Sequence, residues 1–404
     1  MEKEKIVVIA GTVWQIPLIK RLKEKGYFVV DFNLYPDSPA FQYADDFRIV
    51  DILDYEACSR YAEEIAPKAV LSDECDIATP SVTHVSERLG LKSIGSDMAE
   101  LYTNKALMRK FGEKNGFATP RYFECGTAEQ AVQAFHMLHT KMIMKPIDSN
   151  SSRGVYTIYD EKDIRRNFQN SMMYSKGEKK ILLEEYIDGT EFTVDGIKTD
   201  LGHVSLAVSE KKHYSFNENI ACSLYFSYTN DRFDYEKLRD INDRFVNLSG
   251  LPYGLTHAEY KYKDGQFYLI EIGARGGGNL ISAEIVPLIS GVDNYGYLID
   301  KTVGEKCDEK IYIDEKMKSR CAVLKFFDSP DQSGILRKII GEDFLKENEK
   351  VISYNINCQV GDKIVPAEDD SKRIGYYIAY GESREELDQL MQQIEDTFEL
   401  IVEA

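Results

Sequence analysis

The sequence predicts a chain that is α/β at its N-terminal end and α+β beyond it. It should form an N-terminal parallel sheet, a larger mixed body, and a small C-terminal α+β domain. Three observations carry this. Strands and helices alternate strictly through the first hundred residues, and antiparallel hairpin signals replace that alternation afterwards. At 404 residues the chain is also too long for one hydrophobic core.

The elements follow in order. Lys5 to Ala10 is a continuous apolar strand ended by Gly11, and Ile16 to Lys25 is a helix stopped by Gly26. Tyr27 to Asp31, Phe47 to Asp51 and Ala69 to Ser72 are further strands, with a helix from Tyr55 to Ile65. Apolar strands separated by helices imply a parallel sheet covered on both faces, with ligands beyond the strand carboxyl ends. Two turns sit there, Gly11-Thr-Val-Trp14 and Asp73-Glu-Cys-Asp76, either of which can line a substrate pocket or be ordinary turn chemistry.

Residues 97–117 read as one helix. The strand Arg121 to Cys125, the helix Ala128 to Leu138 and the strand Lys141 to Pro146 follow. A polar loop, Asp148 to Gly154, leads into the strand Val155 to Tyr159 and a helix from Glu161 to Tyr174. Lys180 to Ile187 is a strand, and after Asp188-Gly189 the strand Glu191 to Ile197 is expected to return antiparallel to it. Ser282 to Tyr297 reads as helical. The last segment shows strands at Arg320 to Phe326 and Gly375 to Gly381 and a final helix from Arg384 to Phe398.

Composition excludes several functions. A net charge of −18 leaves no basic footprint for nucleic acid and no polybasic membrane surface, so neither is an expected partner. No apolar run approaches a membrane span, and the N-terminus runs directly into a strand rather than a signal peptide, which implies the cytoplasm. The seven Cys are scattered without ligand spacing and read as free thiols in a reducing compartment.

The chemistry concentrates in Thr256 to Asn279. Glu259 and Glu271 lie in two aromatic-rich strands joined at Asp264-Gly265, and Arg275 and three glycines follow. Carboxylates in buried strands need a partner or a cation, so this pattern points to a hard-metal and phosphate site. The bland alternative is one solvated Glu and one Glu paired with a Lys. Directly opposed residues of an antiparallel pair share a face. A two-residue turn would place the two Glu on opposite faces, so the metal reading predicts an odd-length or bulged turn with Gly265 at positive φ. Elsewhere, Ser149 to Gly154 can bring backbone N–H groups close to phosphate oxygens, with Lys145 just before it. An exposed tip with a snorkelling Lys is the alternative. Glu184-Glu185-Tyr186-Ile187 offers backbone groups and apolar faces suited to adenine, and Glu191 can accept ribose hydroxyls.

The order Lys105, Lys145, Ser/Gly loop, Glu184-Glu-Tyr-Ile-Asp-Gly-Thr-Glu191, Glu259, Glu271, Arg275 resembles the ATP-grasp superfamily, and within it the carboxylate–amine ligases of the L-amino-acid ligase (dipeptide synthase) type. The resemblance runs from about residue 5 to the C-terminus and is most specific over 100–280. It implies a pre-ATP-grasp domain over 1–100, an ATP-grasp domain over 101–309 with a mobile lid at about 118–187, and a C-terminal domain over 310–404. It implies ATP and Mg²⁺ as cofactors, with Mn²⁺ a substitute, and small-molecule carboxylate and amine partners, an amino acid among them. A homodimer is also implied. Lys105 and Lys145 would hold the α- and β-phosphates, and Ser151, Ser152 and Gly154 would belong to the closing loop. Glu184, Glu185, Tyr186 and Ile187 would face adenine, and Glu191 would hold the ribose. Glu259 and Glu271 would bind Mg²⁺, Arg275 would stabilise the acyl phosphate, and Lys211 would approach the γ-phosphate. His257, on the Glu259 face, would bind substrate or deprotonate the amine, unless it makes a structural hydrogen bond. Many relatives carry Asn at the position of Gly273, which leaves one oxygen ligand fewer for a second Mg²⁺. A carboxylase, a D-alanine-ligase-like enzyme and a catalytically silent nucleotide-binding protein are the alternatives.

Overall fold

The structure is a computed structural model that describes residues 3–149, 153–214, 217–328, 333–366 and 372–403. Its first layer is a parallel sheet of β1 (Lys5–Ile9), β2 (Phe28–Asn33), β3 (Asp46–Ile49) and β4 (Ala69–Leu71) in the order β3-β2-β1-β4. The continuous apolar runs have a direct cause. Val7 and Ile9 pack with Cys58, Ala62 and Val85 on one face, while Ile6 and Val8 join a cluster with Leu18, Ile285 and Ile299 on the other. Both faces are dry, so neither needs polar alternation.

A second sheet, in the order β5-β8-β6-β7, comprises β5 (Tyr122–Cys125), β6 (Met142–Pro146), β7 (Tyr156–Ile158) and β8 (Ile181–Glu185). The helices Ala128–Leu138 and Glu161–Met173 cover it through Ala131, Val132, Ile164 and Phe168.

The central sheet has eight strands in the order β13-β12-β9-β10-β11-β14-β18-β16. They are β9 (Thr190–Thr199), β10 (Gly202–Tyr214), β11 (Asn217–Phe226), β12 (Gly254–Lys263), β13 (Gln266–Gly273), β14 (Cys321–Phe326), β16 (Val351–Ile356) and β18 (Gly375–Gly381). The small sheet β17-β15-β19 contains β15 (Gly334–Ile340), β17 (Lys363–Ile364) and β19 (Glu399–Glu403). Strands from beyond residue 310 thus extend the central sheet, and the helix Arg384–Thr397 packs Leu387, Leu390 and Ile394 on them.

Three local expectations are corrected. β8 and β9 do not form a hairpin. The chain crosses sheets at Asp188-Gly189, and β9 pairs with β10 and β12. Gly189 permits the crossing, because a Cβ there would lie 2.0 Å from the Tyr262 carbonyl oxygen. Residues 97–117 are two helices, Ser96–Leu101 and Lys105–Lys114. Asn104 caps the second by accepting from the Ala106 and Leu107 N–H groups. Residues 282–297 are likewise broken, at Gly291 (φ 74°), before Asp293 caps a helix at Asn294–Val303.

Candidate functional site

β12 and β13 settle the parity of the two carboxylates. Lys263 pairs with Gln266, so Asp264-Gly265 is a two-residue turn, with φ of 50° and 84°. That register holds as far as Tyr260 opposite Leu269. Glu259 then pairs with Glu271, which makes Ile270 the extra residue of a bulge. The shared face is as expected. The device that produces it lies within β13 rather than in the turn.

The neighbouring strands build a polar stripe on that face. β9 places Thr193 opposite Glu259, Asp195 opposite His257 and Glu191 opposite Lys261, and β10 places Lys211 opposite Glu191. Lys211 Nζ lies 2.6 Å from Glu191 and 3.0 Å from Glu259. Burial alone would raise both carboxyls, yet Lys211 holds each below the usual range, with His213 and Lys261 assisting at Glu191. The same carboxylates keep Lys211 firmly protonated against burial. Lys105, the first residue of its helix, donates to Glu271 Oε1 at 2.8 Å and to the Ser149 carbonyl.

The four-stranded sheet of β5 to β8 meets this stripe through a buried triad. Arg109, one turn beyond Lys105, donates to Glu184 at 2.9 and 3.3 Å and to the Ile270 carbonyl at 2.7 Å, and Lys145 pairs with the same carboxylate. Burial pulls Lys145 below the ordinary lysine range, with Glu184 opposing, while Arg109 and Lys145 keep Glu184 ionised against burial. The Glu184 side chain is therefore a counter-ion, which leaves only its backbone to face a base. Glu185 pairs with Arg121 at 2.7 Å. Tyr186 lies beneath the ammonium groups of Lys141 (3.6 Å) and Lys261 (4.7 Å), and Ile187 is buried beside it in the chain. Gly154, at φ 74°, is packed against Pro146 and Tyr174 at the loop base. Ser151 and Ser152 lie outside the described residues.

The opposite wall comes from the N-terminal sheet. Arg275 donates to Asp76 through Nε (2.8 Å) and Nη2 (2.6 Å), and through Nη1 to the Gly276 carbonyl (2.9 Å). The acidic turn 73–76 is engaged with this loop, and Asp73 and Arg275 both line a cavity between the N-terminal sheet and β12. Asp73 accepts from the Gly276 N–H at 2.7 Å, and Glu74 accepts from Leu280 and Ala283. Trp14 packs beside Tyr376, with ring centroids 6.0 Å apart. His257 Nδ1 lies 3.0 Å from Asp195 Oδ1, which also accepts from the Gly277 N–H at 2.7 Å. Tyr214 donates to the Phe327 carbonyl, toward the C-terminal end of the sheet.

Sequence reasoning missed Arg109, Asp195 and Lys261, and it named the Asp76 turn without its partner Arg275. The first three had a weak signal: Arg109 is four residues from Lys105 on a helix, and Asp195 and Lys261 alternate onto the faces of Glu191 and Glu259. Lys176 has its backbone N–H anchored on Asp148 (3.0 Å), and burial pulls its ammonium below the ordinary lysine range, with Asp148 opposing. Among the described residues no group of three or more metal-ligating side chains converges. Two carboxylates on one face, each neutralised by a lysine, still fit a cation that brings phosphate oxygens of its own.

This combination is that of an ATP-grasp domain: a four-stranded sheet and a central antiparallel sheet enclosing lysines, an arginine and two carboxylates. Residues 138–284 match the ATP-grasp domain model. Residues 326–403 match the L-amino acid ligase C-terminal domain 2, so the chain carries an ATP-grasp domain followed by that C-terminal domain. The L-amino acid ligase from Bacillus licheniformis superposes with a TM-score of 0.80 at 20% identity, covering 100% of both chains, which shows the shared fold. The uncharacterized protein y4rH of Sinorhizobium fredii is 24% identical over 78% of this chain and 64% of its own length. The formate-dependent phosphoribosylglycinamide formyltransferase of Marinobacter nauticus is 28% identical over 42% of this chain and 44% of its own. The chain thus matches less than two thirds of either curated relative.

Proposed function

We propose that this protein is an ATP-dependent carboxylate–amine ligase, with an amino acid as at least one substrate. The reading places it in the cytoplasm; among the described residues no helix is long and apolar enough to cross a membrane. The observation that carries the reading is the placement of Glu259 and Glu271 on one face, within reach of Lys211 and Lys105, with Arg275 at the end of the same hairpin.

A carboxylate is a poor electrophile. Its oxygen attacks the γ-phosphorus of ATP and ADP leaves. The amine then attacks the acyl carbon, the carbon–oxygen bond breaks with phosphate carrying away the electron pair, and the proton lost from nitrogen ends on the released phosphate. Lys105 and Lys145 hold the α- and β-phosphates, and Lys211 approaches the γ-phosphate. Each moves from its carboxylate partner toward a more highly charged anion. The hinge at 184–187 faces adenine through its backbone, and Glu191 accepts the ribose hydroxyls. Glu259 and Glu271 would hold Mg²⁺, which would supply neutralisation of charge on the transferring phosphoryl group. Arg275 binds the acyl phosphate as a fork, which a lysine cannot do. His257, fixed by Asp195, contacts the amine. The loop at 148–154 and the lid at about 118–187 exclude water, since an exposed acyl phosphate hydrolyses.

The test is phosphate release from ATP with amino acids supplied singly and in pairs, with and without Mg²⁺. Release that needs Mg²⁺ and an amino-acid pair, with a condensed product by mass spectrometry, supports the ligase. Dependence on bicarbonate, or on D-alanine alone, selects a carboxylase or a D-alanine-ligase-like enzyme. Tight ATP binding without turnover on any pair selects a silent nucleotide-binding protein.

A further inference from the structure

Gly273 stands two residues after Glu271 and two before Arg275. A Cβ at this position would lie 2.7 Å from Asp76 Oδ1 and 3.4 Å from Arg275 Nε. Its φ is outside the left-handed region, so backbone conformation does not require glycine. The space a side chain would fill is occupied by the carboxylate of a residue nearly two hundred positions earlier.

Asp76 uses that space to grip Arg275 along the Nε–Nη2 edge, at 2.8 and 2.6 Å. A guanidinium has five N–H donors. Two go to Asp76 and one, on Nη1, goes to the Gly276 carbonyl. One donor on Nη1 and one on Nη2 remain, a pair suited to two oxygens of one anion. The Asp76 turn is itself fixed to the following loop, since Asp73 holds the Gly276 N–H and Glu74 the Leu280 and Ala283 N–H groups. The arginine is therefore aimed by the N-terminal sheet rather than by its own loop alone.

We propose that Asp76 is the positioning residue for Arg275, and that Gly273 is glycine because any side chain there would displace Asp76 from that grip. This rests on the ligase reading for its substrate, the acyl phosphate, but the grip is a property of the chain. Asp76 pre-orients the fork so that its free donors meet the phosphoryl oxygens without a search over rotamers, at the cost of one carboxylate near an anion site. The absent side chain at 273 and the acidic turn at 76 are two halves of one device.

The experiment titrates inorganic phosphate by calorimetry into the full-length protein saturated with Mg-ADP. Wild type is compared with Asp76→Asn, Gly273→Ala, Arg275→Lys and the double variant Asp76→Asn/Arg275→Lys. Wild type should bind phosphate, and each single variant should weaken it about tenfold or more, the loss expected for one or two charge-assisted hydrogen bonds. Mg-ADP affinity should stay unchanged throughout. The double variant should be no weaker than Arg275→Lys alone, because Asp76 acts through Arg275. Ligase turnover should fall in kcat, with KM for the amine retained.

An unchanged phosphate affinity in Asp76→Asn or in Gly273→Ala would overturn the proposal. So would losses that multiply in the double variant, a wild type that binds no phosphate, or a rise in amine KM alone, which would make Asp76 a substrate contact. Wild-type phosphate binding without amino-acid-dependent ADP release would sink the ligase reading and leave the grip standing. Thermal unfolding of each variant shows whether it is folded, and loss of Mg-ADP binding together with phosphate binding would overturn a local role.

Discussion

Two sets of carboxylates in this chain are handled in opposite ways. Glu191 and Glu259 of the central sheet, with Glu184 of β8, are paired with Lys and Arg, which hold them ionised against burial. Asp31, Asp73 and Glu74 of the N-terminal sheet lack such partners, and burial drives their carboxyls upward, to about 8 at Asp31. Asp76 belongs to the second region by sequence and to the first by chemistry, because Arg275 reaches it and keeps it ionised against burial. In the first set cationic partners oppose the effect of burial, whereas in the second burial prevails and raises the carboxyls.

The largest expected effect comes from the paired set. Glu271→Gln should reduce amino-acid-dependent ADP release by about a thousandfold or more, with the far-UV circular dichroism of the wild type. Near-normal release would remove Glu271 from the metal site. Glu184→Ala leaves Arg109 and Lys145 buried without their carboxylate. It should cost about 3–5 kcal/mol of stability, read from urea unfolding. A loss below about 1 kcal/mol would mean that water already reaches the triad.

The unpaired set should show the opposite pH slope. A carboxyl held low by a cation adds stability above its unfolded value near pH 4, and this is lost as the pH falls through its folded value. A carboxyl pushed up by burial favours the folded state at low pH and loses that contribution as the pH rises. The advantage of Asp31→Asn over wild type should therefore grow between pH 4 and pH 8, by about 2–4 kcal/mol. A difference that does not change with pH would place Asp31 in contact with water. Glu74→Gln should have the smallest effect, within about 1 kcal/mol at pH 7, since the amide retains an acceptor for the Leu280 or Ala283 N–H. A loss of several kcal/mol would show that Glu74 is ionised there.

The same contrast explains what was legible beforehand. Glu259, Glu271 and Arg275 fall within one hairpin and its exit, so pattern and pleat were enough to bring them together. Even there the sequence left the bulge at Ile270 unplaced, because nothing in Tyr268-Leu-Ile-Glu271 distinguishes a bulged residue from its neighbours. The N-terminal sheet was readable because dry faces impose apolar runs. Asp76 was not readable as a partner, since no local pattern links it to Arg275 across the interface of two sheets. The pairing of the Glu184 side chain was hidden for a related reason. Its partners Arg109 and Lys145 come from other elements, and a strand-end Glu beside another Glu looks the same whether solvated or buried. The β8–β9 hairpin failed because Asp188-Gly189 is a credible turn, and only tertiary packing against Tyr262 sends the chain to another sheet.

The central claim is that the two carboxylates opposed by the Ile270 bulge bind the divalent cation used with ATP. Mn²⁺ electron paramagnetic resonance in the presence of ADP measures this directly, with wild type, Glu259→Gln and Glu271→Gln compared at equal nucleotide occupancy. The account predicts a protein-bound Mn²⁺ signal in wild type that is lost or weakened at least about tenfold in each variant. Equal Mn²⁺ binding in all three proteins would contradict it.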